Sequence, residues 1–199
     1  MKRNKIKRSL LNPSRLFSII ILWLMGWKTR CIPLDLPKYV LIGAPHTSNW
    51  DFVIGYMIMT AIGLKLYWVG KHTIFRRPFG WLMNLMGGIP VDRTRSTNFV
   101  DQIVMSFQES DKLIVAIAPE GTRGWTEYWK SGFYYIALKA EIPIILGYVD
   151  YARKMGGFEK IIIPSGNLPD DQEHISEFYQ TITAKFPENF GPVRFRSQE

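Results

Sequence analysis

The sequence predicts a single α/β domain, a largely parallel sheet flanked by helices, with a separate basic and apolar segment ahead of it. Two observations carry the prediction. Short apolar runs closed by glycine or proline alternate with longer stretches whose apolar residues recur at helical spacing, which is the pattern of strand–helix–strand units. The 199 residues, 47% of them hydrophobic, are also enough for one domain with a real core. A third observation concerns placement: the densest charged loops follow the apolar runs, where a parallel sheet gathers its ligand-binding edge.

The elements follow in chain order. Residues 1–30 hold eight basic side chains and no acidic one, while the whole chain carries a net charge of +8, so the rest sums to zero. A nucleic-acid binder spreads basic residues over its folded surface, and that class is excluded here. The charge flanks an apolar stretch of about 12 residues, 16–27, short of the roughly 20 that a spanning helix needs. No small-residue cleavage site follows it. The stretch reads as a membrane-interfacial anchor, with Trp23 and Trp27 at the boundary and the cations toward anionic headgroups. A hydrophobic first helix docked on the domain is the alternative, and both can hold at once. The domain proper is expected over 31–199.

Residues 33–37, with two prolines, form a turn-rich link. Residues 39–44 read as a buried strand ended by Pro45, and 52–62 as a buried helix. Residues 64–69 make a second strand closed by Gly70, and a cation-rich loop, 71–78, follows. A short helix, 79–86, is broken by Gly87-Gly88. Ile89-Pro90-Val91 is a strand that runs into Asp92-Arg93. Ser96 or Thr97 caps a helix whose Phe99, Val100, Ile103, Val104 and Phe107 share one face. Strand 113–118 ends in Pro119-Glu120-Gly121-Thr122-Arg123. Helix 133–140, strand 142–149 and strand 161–163 follow. Asp170 or Asp171 caps a last helix carrying Ile175, Phe178, Tyr179, Ile182 and Phe186 inward.

One cysteine, Cys31, excludes an intrachain disulfide and fits a reducing compartment. The three histidines and Cys31 are scattered through the chain, so no local zinc pattern exists. There is no Walker loop and no nucleophile elbow, which leaves nucleotide hydrolysis and serine-ester hydrolysis without support.

The candidate chemistry centres on Pro45-His46-Thr47-Ser48-Asn49-Trp50-Asp51, where a strand hands over to a helix. A neutral imidazole there can take a proton from a hydroxyl, and a nearby carboxylate fixes its tautomer and stabilises the imidazolium. The positive end of the following helix favours the neutral form. The same residues also make a capping box, Ser48-x-x-Asp51, in which Asp51 only caps the helix. In a parallel sheet, Lys71, Arg93 and the Glu120–Arg123 loop come to the same edge as His46. Cations around a base suit an anionic acceptor, because arginine grips a phosphate through two parallel hydrogen bonds.

These residues resemble the glycerolipid acyltransferase family, of the 1-acyl-sn-glycerol-3-phosphate acyltransferase type. His46 and Asp51 match its His-x4-Asp motif with Ser48 inside it, and 88–93 match its Gly-to-Arg motif. Glu120-Gly121-Thr122-Arg123 match its third motif in full, followed by Lys130 and Gly132, and Ile142-Pro143-Ile144 match its fourth. The resemblance covers residues 40–150. Pro45, Asn49-Trp50 and the aromatic run Trp125, Tyr128, Trp129, Phe133, Tyr134 and Tyr135 depart from it and leave the acceptor open.

The resemblance implies transfer of a fatty acyl group from acyl-CoA or acyl-carrier protein to a lysophospholipid hydroxyl, most directly 1-acylglycerol-3-phosphate, giving phosphatidate. His46 is then the base and Asp51 its orienting partner. Lys71, Arg93 and Arg123 hold the acceptor phosphate, and Glu120, Gly121 and Thr122 shape the acceptor site. No metal or redox cofactor is implied, and the place of work is the cytoplasmic face of a membrane. The alternatives are an acyltransferase for another lysolipid or for an aminoacyl or sugar lipid, and a non-catalytic membrane-associated lipid-binding protein.

Overall fold

The computed structural model describes residues 12–76, 78, 80–91 and 96–195. The elements run α1 (Pro13–Leu24), β1 (Lys28–Cys31), β2 (Lys38–Gly43), α2 (Asn49–Ile62), β3 (Tyr67–Lys71), α3 (Gly80–Leu85), β4 (Gly88–Val91), α4 (Ser96–Glu109), β5 (Leu113–Ile117), α5 (Gly132–Lys139), β6 (Ile144–Asp150), β7 (Met155–Ile162) and α6 (Leu168–Tyr179). A 3₁₀ turn, His72–Phe75, follows β3, and another, Pro187–Asn189, lies near the end. The strands form one sheet in the order β1-β7-β6-β2-β5-β3-β4. From β4 to β6 every pairing is parallel, β7 runs antiparallel to β6, and β1 runs parallel to β7.

The sheet is buried on both faces, and this is why its central strands read as continuous apolar runs. On β2, Val40 and Ile42 face a core built with α4, α5 and α6, whereas Tyr39 and Leu41 face a second core built with α1 and α2. On β6, Ile144 and Leu146 go to the first core, and Ile145 and Val149 to the second. The alternation follows the strand period of two. Side chains such as Phe107, Phe133, Tyr134 and Ile175 are at most 1% exposed, so the expected single α/β domain is what forms.

Four expectations change. First, Lys28–Cys31 joins the sheet, pairing residue for residue with Met155–Phe158, so a boundary after residue 30 falls inside a strand. The pairing depends on Gly157, whose φ is +152° and where a Cβ would lie 1.8 Å from the Arg30 carbonyl oxygen. Second, the strand expected at 161–163 is β7 (Met155–Ile162), turned back directly on β6. Gly156-Gly157 hid it, since glycine is depleted in strands. Third, α6 begins at Leu168 with Asn167 at its N-cap position. Asp171 is instead buried and accepts from the Tyr134 hydroxyl (2.7 Å) and from Ser165 N (2.8 Å) and Oγ (3.0 Å). Phe186, expected inward, is exposed and lies beyond the helix.

Fourth, α1 does dock on α2. Leu22 is buried in the cluster of Tyr39, Ile54 and Ile58, and the Arg15 Nε donates to the Ala61 carbonyl at 2.8 Å, in the last turn of α2. Only a narrow stripe is used. Leu16, Phe17, Ile20, Trp23 and Leu24 remain exposed, Trp23 by 75%. Among the described residues no helix is long and apolar enough to cross a membrane.

Candidate active site

The carboxyl ends of β2, β3, β5 and β6 open onto one edge, and the loops that leave them build the site. After β2, Ser48 caps α2, its hydroxyl accepting from Trp50 N at 3.2 Å, and the reciprocal capping box with Asp51 is formed. Asp51 is buried. Its Oδ2 accepts from Thr47 N (2.6 Å) and Ser48 N (2.7 Å), and its Oδ1 accepts from the Tyr151 hydroxyl (2.7 Å). His46 Nδ1 lies 3.7 Å from Asp51 Oδ2. That distance is an ionic contact and is longer than a hydrogen bond. Catalytic contacts of this kind are commonly loose without substrate and tighten in the complex. The capping and orienting readings of Asp51 are therefore compatible: the cap fixes the carboxylate, and the fixed carboxylate faces the imidazole. Nδ1 is the ring nitrogen turned to Asp51.

The loop after β5 meets this one directly. Glu120 Oε1 accepts from the His46 backbone N–H at 2.7 Å. Glu120 is only 6% exposed and does not line the cleft, so it braces the histidine loop from beneath where an acceptor contact was expected. Gly121 takes φ +66°, and the Lys130 stem packs so closely that a Cβ there would meet it at 3.0 Å. Thr122 and Arg123 are exposed and line the cleft. Thr122 Oγ1 accepts from Gly124 N (3.2 Å), and Arg123 Nη1 donates to Asn49 Oδ1, which ties the loop to the start of α2. A guanidinium has five N–H donors, so that bond leaves others for an anion. Lys71, the last residue of β3, lines the same cleft. Arg93 lies outside the described residues.

The cleft encloses ≈ 2350 Å³, against about 300–1,000 Å³ for an ordinary small-molecule pocket. Its polar lining includes His46, Asn49, Asp51, Lys71, Thr122 and Arg123, with Asp101, Glu127, Lys130 and Lys139 also at the cleft, and Phe52, Tyr56, Met59, Trp68, Ile74 and Met83 line an apolar part. Among the described residues no group of three or more acidic, histidine or cysteine side chains could hold a metal.

Burial pushes the Glu120 carboxyl from 4.5 up to about 8, opposed in part by hydrogen bonds from its own N–H and that of His46 and assisted by the Asp51 charge. Between pH 4.5 and 8 the folded chain thus holds a proton that the unfolded chain has lost, and stability falls as pH rises through that window. Glu120→Gln keeps an acceptor for His46 and removes the titration. Its melting temperature relative to wild type should climb by several degrees across the window and level off above it. A difference independent of pH would mean that Glu120 is ionised in the folded protein.

Tyr151 had no motif to announce it. It arrives on the turn after β6, 100 residues from Asp51. The parallel pairing of β6 with β2 was the available signal, because it sends both loops to one edge.

The sheet edge thus gathers a histidine–carboxylate pair, a cationic loop and a cleft with an apolar part. The acyltransferase family model matches residues 32–146, more than half of the chain, and the chain belongs to that family. It is 28% identical to the 1-acyl-sn-glycerol-3-phosphate acyltransferase of Streptococcus pneumoniae over 134 residues, 64% of this chain and 49% of that protein. It is 29% identical to a chloroplastic 1-acyl-sn-glycerol-3-phosphate acyltransferase of Brassica napus over 105 residues, 50% of this chain and 30% of that one. These matches span half or less of those relatives' length. The fold is shared with the crystal structure of the 1-acyl-sn-glycerophosphate acyltransferase PlsC of Thermotoga maritima (TM-score 0.54, 15% identity, 89% of this chain and 88% of that one).

Proposed function

We propose that the protein transfers a fatty acyl group from an acyl thioester, acyl-CoA or acyl-carrier protein, to the free hydroxyl of 1-acylglycerol-3-phosphate, giving phosphatidate. The observation that carries this reading is the contact of two loops at one sheet edge: Glu120 of Glu-Gly-Thr-Arg holds the backbone of His46, which faces Asp51. His46 Nε2 takes the proton of the acceptor hydroxyl. The oxygen attacks the thioester carbonyl carbon, the C–S bond breaks, and the leaving thiolate takes the proton from the imidazolium. Ester and free thiol are the products, and the scheme uses no metal, redox cofactor or acyl-enzyme. Arg123, Lys71 and Arg93 supply positive charge for the acceptor phosphate, while Thr122 lines its approach. The apolar part of the cleft, from Phe52 to Met83, suits an acyl chain.

The test is a purified-protein assay with acyl-CoA against paired acceptors, 1-acylglycerol-3-phosphate and the monoacylglycerol that lacks its phosphate. The expected preference for the phosphorylated acceptor is at least tenfold in kcat/KM. Equal use of both would remove the phosphate-binding role of the cations.

The site of work in this reading is the cytoplasmic face of a membrane, with α1 in the interface. The exposed face of α1 and the +8 charge of residues 1–30 support it. Because Leu22 and Trp27 are buried, removing the segment would open the core. Substituting Phe17, Ile20 and Trp23 together with glutamate spares the docked stripe. That variant should leave anionic vesicles in a sedimentation assay, keep the wild-type melting temperature and still acylate a short-chain soluble acceptor. If the triple variant stays vesicle-bound, the contact lies elsewhere. Raised salt should weaken wild-type binding only in part, since headgroup attraction, about 1 kcal/mol per basic residue, is screened and apolar burial is not.

A further inference from the structure

We propose that Tyr151 is a positioning residue for the His46–Asp51 pair: its hydroxyl holds Asp51 Oδ1, which turns Oδ2 toward His46 and the loop that carries it. The distances define the arrangement. Oδ1 receives the Tyr151 hydroxyl at 2.7 Å, and Oδ2 receives Thr47 N at 2.6 Å and Ser48 N at 2.7 Å and faces His46 Nδ1 at 3.7 Å. A carboxylate held at both oxygens cannot rotate away from the imidazole without breaking one of these bonds. Asp51 is 6% exposed, so water offers little replacement for a lost partner.

The structure around Tyr151 is itself fixed. Its N–H donates to the Thr183 carbonyl at 3.0 Å. The preceding residue, Asp150, is buried and accepts from Arg153 N (2.9 Å) and Nε (2.7 Å), which closes the β6–β7 turn. The Trp27 ring meets the Tyr151 ring edge-on at 5.2 Å, and the Lys185 ammonium lies 5.9 Å from its centre. Next to Lys185, Phe186 N donates to Thr47 Oγ1 at 3.2 Å. The β6–β7 turn and the chain after α6 therefore meet the His46–Asp51 loop, and the α1–β1 turn packs on Tyr151 behind it. All three lie outside the stretch matched by the acyltransferase family model, 32–146.

Burial and the Asp51 charge hold the Tyr151 hydroxyl far above its ordinary range, so it donates at any working pH. The other titratable groups near the pair are Glu120 after β5, Arg123 through Asn49, and Lys185 over the Trp50 and Tyr151 rings. None of them is altered by removing one phenolic oxygen. Without that donor the negative charge of Asp51 acts on the imidazolium with less opposition, and the imidazolium is favoured. A turn of the carboxylate changes a charge contact already at 3.7 Å only slightly, whereas loss of a 2.7 Å donor strengthens its charge, so the imidazole should titrate at higher pH in Tyr151→Phe than in wild type.

The proposal rests on the acyl-transfer reading for its catalytic meaning, but its first test needs no substrate. The imidazole signals are followed by NMR against pH in wild type and Tyr151→Phe, with His46 assigned from its absence in His46→Gln. An upward shift of about half a unit or more supports the proposal; an unmoved midpoint overturns it. The second test is kinetic. Tyr151→Phe should lower kcat at neutral pH tenfold or more, leave KM for donor and acceptor within about threefold, and move the acid limb of the rate profile upward by the same amount as the NMR midpoint. A rate loss with an unshifted limb, or a variant that unfolds, would make Tyr151 a merely structural residue and overturn the positioning role. A wild-type protein without transfer activity would sink the acyl-transfer reading, and the NMR comparison would still decide the role of Tyr151.

Discussion

Replacing His46 by alanine should lower the rate of acyl transfer by about 10²–10⁴-fold, the span contributed by a positioned general base, and leave the fold intact. The two halves of this expectation come from different atoms. In the proposed reaction the imidazole is the base, with Nδ1 toward Asp51. The residue's backbone N–H donates to Glu120, a bond that survives in alanine. The side chain is 25% exposed, so no large core cavity opens when it is removed. Initial rates and melting curves from the same preparation test this. A variant within tenfold of wild-type rate would remove His46 from the chemistry, because no weaker role explains its place in the loop.

The second large effect is at Asp51, where stability and rate should separate. Asparagine can keep nearly all of the local hydrogen bonding. Its oxygen can accept from Thr47 N and Ser48 N, and its amide can donate to the Tyr151 oxygen once that hydroxyl turns. Only the charge is lost. Asp51→Asn should therefore stay close to wild type in thermal stability and lose activity by on the order of 10²–10⁴-fold, as expected when a base loses its carboxylate partner. Asp51→Ala also strands buried donors and the cap of α2, at a further cost of about 1–3 kcal/mol. If the asparagine variant retains more than a tenth of the wild-type rate, Asp51 is a helix cap and no more.

Much of this was legible in the sequence wherever the chemistry is local. His46, Ser48 and Asp51 lie close together in the chain, so the strand end, the capping box and the base–carboxylate spacing all show in six residues. The Glu120–Arg123 loop is likewise contiguous, and its position after a buried strand placed it at the correct edge. The contribution of Glu120 was not legible, because its direction depends on how β5 pairs with β2. That register carries the glutamate beneath His46 and leaves Thr122 and Arg123 on the surface of the cleft. Tyr151 was hidden for a similar reason, since its value comes from the sheet order placing β6 beside β2.

The N-terminal segment shows the limit of composition. Its charge and apolar run were plain, and they suggested a segment apart from the domain. Yet Leu22 and Trp27 pack into the α2 core, and Lys28–Cys31 pair with a strand more than 120 residues later. Four residues with two cations carry no strand pattern of their own, and only the partner makes them a strand. Among the described residues, α1 packs on the domain by one stripe and leaves its other face exposed.

The most direct measurement of the central claim counts both products of one reaction. Purified protein is mixed with acyl-CoA and 1-acylglycerol-3-phosphate, and mass spectrometry follows phosphatidate and free CoA over time. One phosphatidate should appear for each CoA released, with neither formed when the acceptor is omitted or His46 is replaced. Lysolipid binding with no phosphatidate formed, from any acyl thioester, would contradict the account and make the protein a lipid binder on an acyltransferase scaffold.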